Sequence, residues 1–235
     1  MTESEIFDLL RRVSLDSAWG VLNRLGYPNQ FCEGLQVVRP DLTMVGRAVT
    51  VRCLPIRPDL AEAMRAQGPP YNARAAEEAK PGDILVVDAG GETGAGFLGD
   101  VIAARFLYNG GAGIVIDGAL RDLQILRAMP LPIYLKAAHA AASGRRIVPV
   151  DYNVPVAVGR VTVLPGDVLI GDAEGVLVIP RALAEQVARE ALATDHKENF
   201  LRRLLEQGRS IYGVYPPNEA TLAEYKAYRR EHPLE

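Results

Sequence analysis

The run Ile84-Leu85-Val86-Val87-Asp88, together with the glycine-rich loop of residues 89–99 that follows it, decides how we interpret this chain. The apolar run has the length and composition of a strand that is buried on both faces. The loop leads into Gly99–Tyr108, which we interpret as a helix. Because loops at the carboxyl ends of parallel strands form the ligand crevice of open α/β sheets, we expect a functional site here.

The alternation of strand and helix continues after this first unit. A second buried strand is predicted at Gly113–Asp117, a short helix at Asp122–Met129 and a third strand at Pro132–Leu135. This βαβαβ order predicts a mainly parallel sheet with right-handed crossovers.

The rest of the chain adds helices at both ends and a second group of strands. Short strands separated by Pro, Gly and Asp predict a β-layer or partial barrel after residue 148. The expected strands are 45–53, 154–158, 160–163, 168–171 and 176–179, and the expected helices are 3–26, 59–67, 72–79, 181–206 and 219–229. The predicted fold class is therefore α/β, with terminal helices flanking the sheet. We expect a single domain over 1–235, with an N-terminal helical extension (1–43), a core (44–180) and a C-terminal helix with its tail (181–235).

Composition and charge exclude several functional classes. Hydrophobic residues make up 49% of the 235 residues and charged residues 23%, which is ordinary for a globular protein. The formal charge of −3 gives no electrostatic reason to expect nucleic acid or an anionic membrane as a partner. Cys32 and Cys53 show no metal-binding spacing and are expected to be buried thiols. No apolar run approaches the ~20 residues needed to span a bilayer, and Met1–Ile6 does not resemble a signal peptide, so we expect a cytoplasmic protein.

The glycine-rich loop contains the pattern G-x-G-x-x-G at Gly94, Gly96 and Gly99. The pattern is also found in dinucleotide-binding folds, and Asp117 follows where a ribose-binding acid would stand. Two features oppose that interpretation. Gly94 comes six residues after Asp88 rather than directly after the strand, and no second βαβαβ half follows. A simpler interpretation is that the glycines and the free N–H groups at the start of the helix receive a carboxylate or phosphate.

Arg121 and Asp122 follow the second strand, whose carboxyl end lies beside that of the first. Arg121 offers a planar fork for a carboxylate or an enolate oxygen. Asp100 and Asp122 carry hard oxygen ligands of the kind that Mg²⁺ and Mn²⁺ prefer. The alternative is structural, with Arg121 and Asp122 capping the next helix and pairing with surface charges.

The remaining candidates are cations and histidines. Lys136, at the end of the third strand, is interpreted as a Schiff-base lysine, a substrate-binding cation or a solvated charge. His139, His196 and His232 show no metal-binding spacing and are expected at the surface or at subunit contacts.

The segment Gly99-Asp100, followed after 20 residues by Arg121-Asp122, resembles the RraA-like family, which includes class II 4-hydroxy-4-methyl-2-oxoglutarate aldolases and regulators of ribonuclease activity. Further similar stretches, from about residue 44 to 208, are Met44-Val-Gly-Arg-Ala-Val-Thr, Pro81-Gly-Asp-Ile-Leu-Val-Val-Asp, Gly113-Ile-Val-Ile-Asp-Gly, Asn153-Val-Pro-Val and Pro165-Gly-Asp-Val-Leu-Ile-Gly-Asp.

The resemblance implies a role for each matching residue. Arg121 binds substrate and stabilises charge, and Asp122 binds a divalent metal, Mg²⁺ or Mn²⁺. Gly99, Asp100, Val101 and Ile102 receive the carboxylate of a pyruvoyl group, and Asp100 also acts in catalysis by orienting a water. A glutamate from the C-terminal helix of a neighbouring subunit completes the metal site; Glu198 is the better match and Glu206 the weaker. The family commonly forms trimers or hexamers.

The activity implied is that of a metal-dependent carbon–carbon lyase, which cleaves or decarboxylates a 2-oxo acid through a pyruvate enolate. Two alternatives stay open: a non-catalytic regulator that binds a ribonuclease or another protein, and a sugar-acid lyase or decarboxylase that uses the same site. Residues 138–148 and the tail from Leu201 depart from the aldolase pattern, so the sequence leaves the substrate open.

Overall fold

The computed structural model describes residues 1–234, and Glu235, the last residue of the predicted domain, lies outside them. The helices are α1 (Glu3–Leu10), α2 (Leu15–Arg24), α3 (Pro58–Ala66), α4 (Tyr71–Glu77), α5 (Asp100–Tyr108), α6 (Leu123–Leu126), α7 (Ala184–Glu206) and α8 (Glu219–Glu231). The strands are β1 (Gln36–Val37), β2 (Met44–Pro55), β3 (Asp83–Asp88), β4 (Gly113–Leu120), β5 (Ile133–Ala138), β6 (Ile147–Tyr152), β7 (Val156–Val158), β8 (Val161–Val163), β9 (Val168–Gly171) and β10 (Val176–Ile179).

The main sheet has eight strands, and its strand order confirms the predicted βαβαβ unit. The order is β1-β5-β4-β3-β2-β9-β10, with β6 also paired to β2. Neighbours from β2 to β5 are parallel, whereas β1, β6, β9 and β10 are added antiparallel. The later strands therefore extend the same sheet at β2, and within residues 1–234 only β7 and β8 form a separate hairpin.

Different elements pack on the two faces of the sheet. On one face, helices α4, α5 and α6 bury an apolar cluster that includes Phe106, Ile116 and Leu126. On the other face, the β7–β8 hairpin and the β9–β10 pair close over a cluster that includes Val86 and Tyr134. Because the sheet is covered by helices on one side and folds onto its own strands on the other, the predicted partial barrel is confirmed.

The N-terminal segment was expected to form one helix, and this prediction is wrong. Thr2 caps α1 in a capping box with Glu5, and the helix ends at Leu10. Residues 11–14 turn the chain, and Ser14 then begins α2 while its backbone N–H and hydroxyl donate to Asp195 of α7. The break lets α1 and α2 both pack on α7, where they bury a third apolar cluster against β9 and β10.

The C-terminal tail packs on the second half of α7. Asn218 caps α8 by accepting from the N–H of Thr221. Phe200, Leu204 and Tyr225 form a small buried cluster between α7 and α8. His196, expected at the surface or at a subunit contact, is partly buried, with Nδ1 3.1 Å from the hydroxyl of Tyr225. None of the helices in the part of the chain that the structure describes combines the length and apolar character needed to cross a bilayer.

Candidate active site

The glycine-rich loop after β3 is built into the sheet as an extra short strand. Gly96 forms parallel bridges both to Ala119 at the end of β4 and to Ala142 after β5. Its N–H donates to Ala141 O at 2.8 Å, and the N–H of Phe97 donates to Ala119 O at 2.8 Å. The loop is thus held on both sides by backbone hydrogen bonds rather than being a free anion-binding turn.

Two of the loop glycines are required because Arg121 and Asp122 lie directly against them. A Cβ atom on Gly96 would lie 2.4 Å from Cγ of Arg121 and 2.8 Å from its backbone nitrogen. A Cβ atom on Gly99 would lie 2.2 Å from Oδ2 of Asp122. The G-x-G-x-x-G spacing therefore reflects close packing against an arginine and an aspartate, not the turn of a dinucleotide fold.

Arg121 is positioned by the same ladder of hydrogen bonds. Its N–H donates to Leu98 O at 2.9 Å, which joins the end of β4 to the loop. Its Nε is buried and has no hydrogen-bond partner in the described chain, and Arg121 makes no ion pair with any carboxylate of residues 1–234. A buried, unpartnered donor on a guanidinium is rare in folded proteins and calls for an acceptor from a ligand.

Asp122 has an unusual backbone conformation for a residue at a helix start. Its φ of 56° places it in the left-handed region, and its carbonyl accepts from the N–H groups of Ile125 and Leu126. Its side chain makes no capping hydrogen bond to α6. Asp122 is thus the N-cap residue of α6 by position, but the helix is capped by its backbone carbonyl and not by its side chain. The carboxylate is instead exposed and turned toward Gly99.

The first turn of α5 lies beside Arg121 and Asp122 and forms the opposite side of the candidate site. Gly99 is the N-cap residue and has no side chain to satisfy the free N–H groups of Asp100, Val101 and Ile102. Oδ1 of Asp100 accepts from the N–H of Val101 at 2.9 Å, so this carboxylate occupies part of the helix N-terminus. Arg121, Asp122 and the start of α5 come together around Gly96 and Gly99, as the sequence predicts.

Residues 5–178 match the model of the family described as RraA-like, aldolase/RraA. The chain belongs to the RraA-like family.

Named relatives of this RraA-like chain fall into two groups. A Halalkalibacterium halodurans protein named "putative 4-hydroxy-4-methyl-2-oxoglutarate aldolase" is 39% identical over 50% of this chain and 56% of its own length. A protein of the same name from Ectopseudomonas mendocina is 40% identical over 44% of this chain and 63% of its own length. The chain therefore spans less than two thirds of either relative. Streptomyces coelicolor RraAS2, described as an unusual member of the RNase ES inhibitor RraA family, superposes with a TM-score of 0.78 at 33% identity, covering 86% of this chain and 99% of RraAS2.

In the RraA-like chain, Glu198 does not join Asp100 and Asp122 within one subunit. It lies on α7 beside a separate cavity of about 500 Å³, with Arg12, Asp16 and Asp195 among the lining residues. Among residues 1–234, no three His, Cys, Asp or Glu side chains are grouped closely enough to hold a metal ion. A role for Glu198 at this site therefore requires a second subunit.

Lys136 lies near the end of β5 beside the glycine-rich loop, with Nζ 3.4 Å from the place that a Cβ atom would take on Gly91. It alternates along β5 with Leu135, which packs under the helices, so its side chain shares the face of Tyr134 and the β7–β8 hairpin. Its ammonium pairs with the carboxylate of Asp117, and the lysine side chain is 32% exposed. The arrangement is that of a structural ion pair at the strand ends.

Two contributors were not predicted from the sequence. Nδ1 of His139 accepts from the N–H of Ala141 at 3.0 Å, which shapes the segment that holds Gly96. On the other side, the amide of Asn72 in α4 donates to Phe97 O at 3.0 Å. Neither residue stands in a recognisable motif, because both act through partners that are distant in sequence.

The carboxylates at the candidate site suit an ion of the Mg²⁺ type, which needs few protein ligands. Mg²⁺ usually keeps several waters and takes only one or two protein carboxylates together with substrate oxygens. Asp122 presents a carboxylate without a capping bond, and the second oxygen of Asp100 accepts no hydrogen bond within the described residues. Two carboxylates beside an unpaired arginine match that kind of site.

Proposed function

We propose that this chain is a divalent-metal-dependent lyase that cleaves or decarboxylates a 2-oxo acid through a pyruvate enolate, of the 4-hydroxy-4-methyl-2-oxoglutarate aldolase or oxaloacetate decarboxylase type. The observation that carries the proposal is the buried, unpartnered Nε of Arg121 beside the exposed carboxylate of Asp122. The names of the two relatives support the same reaction class.

The chain's own groups account for substrate binding. The carboxylate of the 2-oxo acid binds at the N–H groups of Asp100, Val101 and Ile102, where the α5 dipole favours negative charge. It displaces the Asp100 carboxylate from the Val101 N–H, and this frees Asp100 to orient a water. Arg121 donates from a fixed position to the oxygen that gains charge in the enolate, and it is held there by its bond to Leu98 O.

Asp122, with Asp100 nearby, would hold Mg²⁺ or Mn²⁺. A bound divalent ion supplies Lewis-acid stabilisation of the enolate oxygen. In aldol cleavage, Asp100 would take the proton of the substrate hydroxyl through its oriented water as the carbon–carbon bond breaks and the second product leaves as a carbonyl compound, and it would then return that proton to the enolate carbon to give pyruvate. In decarboxylation the carbon–carbon bond to the departing CO2 breaks, and the proton for the enolate carbon comes from the water. A single enolate serves both carbon–carbon cleavage and decarboxylation, so one site accounts for both reactions.

We further propose a homo-oligomer, trimer or hexamer, in which Glu198 completes the site of its neighbour. The outward face of α5 supports this, because Val101 is 77% exposed and Tyr108 82% exposed on the helix that begins the site. These two side chains are available for contacts with a second subunit beside the site. We also propose that the whole chain acts as one domain in the cytoplasm, where its two free cysteines stay reduced.

A second candidate function is regulation of a ribonuclease by direct binding. It is favoured by the similarity to RraAS2 over 86% of this chain. A regulator does not need a donor on Arg121 kept free of protein partners, so the lyase is the better-supported proposal.

The experiment is pyruvate release from a panel of substrates, with and without Mg²⁺. The panel contains 4-hydroxy-4-methyl-2-oxoglutarate, oxaloacetate and several sugar-derived 2-oxo acids, the last as the test of a sugar-acid lyase. Metal-dependent turnover of at least one compound is expected. A complete lack of turnover by the wild type, together with inhibition of a ribonuclease E-type enzyme, would replace the lyase with the regulator.

A further inference from the structure

Arg39 lies outside every motif of the candidate site, yet it contacts the segment that carries Asp122. Its Nη1 donates to Arg127 O at 3.2 Å and also to Met129 O. Arg127 is the C-cap residue of α6 and Met129 follows two residues later; we refer to residues 123–129 as the α6 segment. Carbonyls at the end of a helix have no partner within the helix, so they are free to accept from Arg39. The Arg39 side chain is only 20% exposed.

The other edge of the same guanidinium is fixed by Asp41. Nε donates to Oδ1 at 2.8 Å and Nη2 donates to Oδ2 at 2.6 Å, which is a two-pronged contact. These hydrogen bonds hold the pKa of the Asp41 carboxyl below its ordinary value. Because the fork is planar, a carboxylate on one edge sets the direction in which the remaining N–H groups point.

The contact at Arg127 and Met129 reaches Asp122 through an unbroken series of turns. Met129 N–H donates to Leu126 O, and Leu126 N–H donates to Asp122 O. The backbone that carries Arg39 is held in turn by the main sheet. The N–H of the preceding residue, Val38, donates to Ile133 O, so Arg39 is anchored to the edge of the sheet.

We propose that Arg39, oriented by Asp41, is a positioning residue that holds the α6 segment so that Arg121 and Asp122 keep their places against Gly96 and Gly99. This inference rests on the proposed lyase function for its catalytic consequence, but not for its structural content. Asp122 needs such support because α6 has only four helical residues, and its left-handed start gives the short segment little stability of its own.

The chain provides a matched control in a second Arg-x-Asp pair. Arg57 Nε donates to Asp59 Oδ1 at 2.7 Å at the start of α3, and both side chains are mostly exposed. Arg57 makes no hydrogen bond to a carbonyl in the described chain. Arg57→Met therefore removes a comparable Arg–Asp ion pair while leaving the residues that follow Asp122 untouched.

The experiment compares wild type, Arg39→Met, Arg39→Lys and Arg57→Met by hydrogen–deuterium exchange, Mn²⁺ binding followed by electron paramagnetic resonance, and steady-state kinetics. In Arg39→Met we expect faster exchange over residues 123–129, weaker Mn²⁺ binding and a loss of about tenfold in kcat, because small misplacements of reacting groups are costly. Arg39→Lys is expected to restore only part of the protection from exchange, of the Mn²⁺ affinity and of kcat, since an ammonium cannot contact Asp41 and both carbonyls at once. Arg57→Met is expected to behave as wild type.

The outcomes separate this inference from the proposed function. Wild-type exchange rates over residues 123–129 in Arg39→Met would show that Arg39 does not hold this segment, and the inference would fail. Faster exchange with unchanged kcat and Mn²⁺ affinity would overturn the positioning role and leave Arg39 merely structural. If the wild type cleaves no 2-oxo acid, the lyase proposal fails, while exchange and Mn²⁺ binding still decide whether Arg39 positions Asp122.

Discussion

Oδ2 of Asp122 lies 2.2 Å from the place that a Cβ atom would take on Gly99. Gly99 precedes α5 and Asp122 precedes α6. Because Gly99 lacks a side chain, there is room for the carboxylate of Asp122 beside the start of α5. The backbone of Gly99 is extended, so the glycine is required by this approach and not by backbone strain.

Gly99→Ala is expected to abolish most of the activity while leaving the fold intact. The added methyl group meets the end of a movable side chain, so Asp122 turns away at little structural cost and the site loses its carboxylate. We expect a loss of about a hundredfold in kcat/KM. Kinetics and a thermal melt on the same preparation are the measurements. Gly144→Ala is the control, because a Cβ there meets nothing within 4 Å.

Gly96→Ala is expected to behave differently, because its Cβ would lie 2.8 Å from the backbone nitrogen of Arg121. Backbone cannot rotate away, so overpacking here is expected to lower the free energy of unfolding by about 1–3 kcal/mol. Denaturant unfolding of Gly96→Ala and Gly99→Ala side by side is the check. Equal stability of the two variants would contradict the packing argument.

Arg121→Lys is expected to leave the site inactive although the charge is kept. Lysine loses the planar fork and the buried Nε donor, and removal of a preorganised oxyanion donor costs about 2–4 kcal/mol of transition-state stabilisation. The measurement is kcat/KM on whichever 2-oxo acid the wild type turns over, with a melting curve to show that the variant folds. A variant within about threefold of wild type would be incompatible with the role given to Arg121.

Borohydride is expected to trap no substrate on the protein, and EDTA is expected to stop turnover. Lys136, considered from the sequence as a Schiff-base lysine, is paired with Asp117, which holds its ammonium in an ion pair. Mass spectrometry after borohydride treatment in the presence of substrate is the test, with metal restored to a parallel sample. A substrate adduct on Lys136, with activity unaffected by EDTA, would reverse the choice between metal and lysine chemistry.

Subunit mixing is expected to restore activity to two inactive variants. Asp122→Ala removes the metal ligand of one subunit and Glu198→Ala removes the group contributed by its neighbour, so mixed oligomers contain some sites with both wild-type groups. Turnover after co-refolding, compared with each variant refolded alone, is the measurement. Full activity in a species shown by light scattering to be a monomer would exclude a shared site, as would a lack of recovery in oligomers verified to be mixed.

The order of strands and helices through the core could be predicted from the sequence because buried parallel strands are continuous apolar runs. Ile84–Asp88 and Gly113–Asp117 were located correctly for that reason, and Gly99–Tyr108 was expected as the helix that the structure shows at Asp100–Tyr108. The break between α1 and α2 was missed, since the apolar periodicity runs through it. It depends on Asp195 accepting hydrogen bonds from Ser14, and these two residues are far apart in the chain.

For the site, the sequence by itself determined which residues follow β3 and β4, because the order of parallel strands and helices places Gly99, Asp100, Arg121 and Asp122 at one edge of the sheet. Only the tertiary structure decided how they meet. Gly96 is inserted between Ala119 and Ala142, and the glycines give room to Arg121 and Asp122. It also decided that Lys136 pairs with Asp117 and that Arg39 reaches the α6 segment. The physical reason is that local spacing specifies secondary structure and its faces, whereas hydrogen bonds and close contacts between distant segments exist only once the sheet has formed.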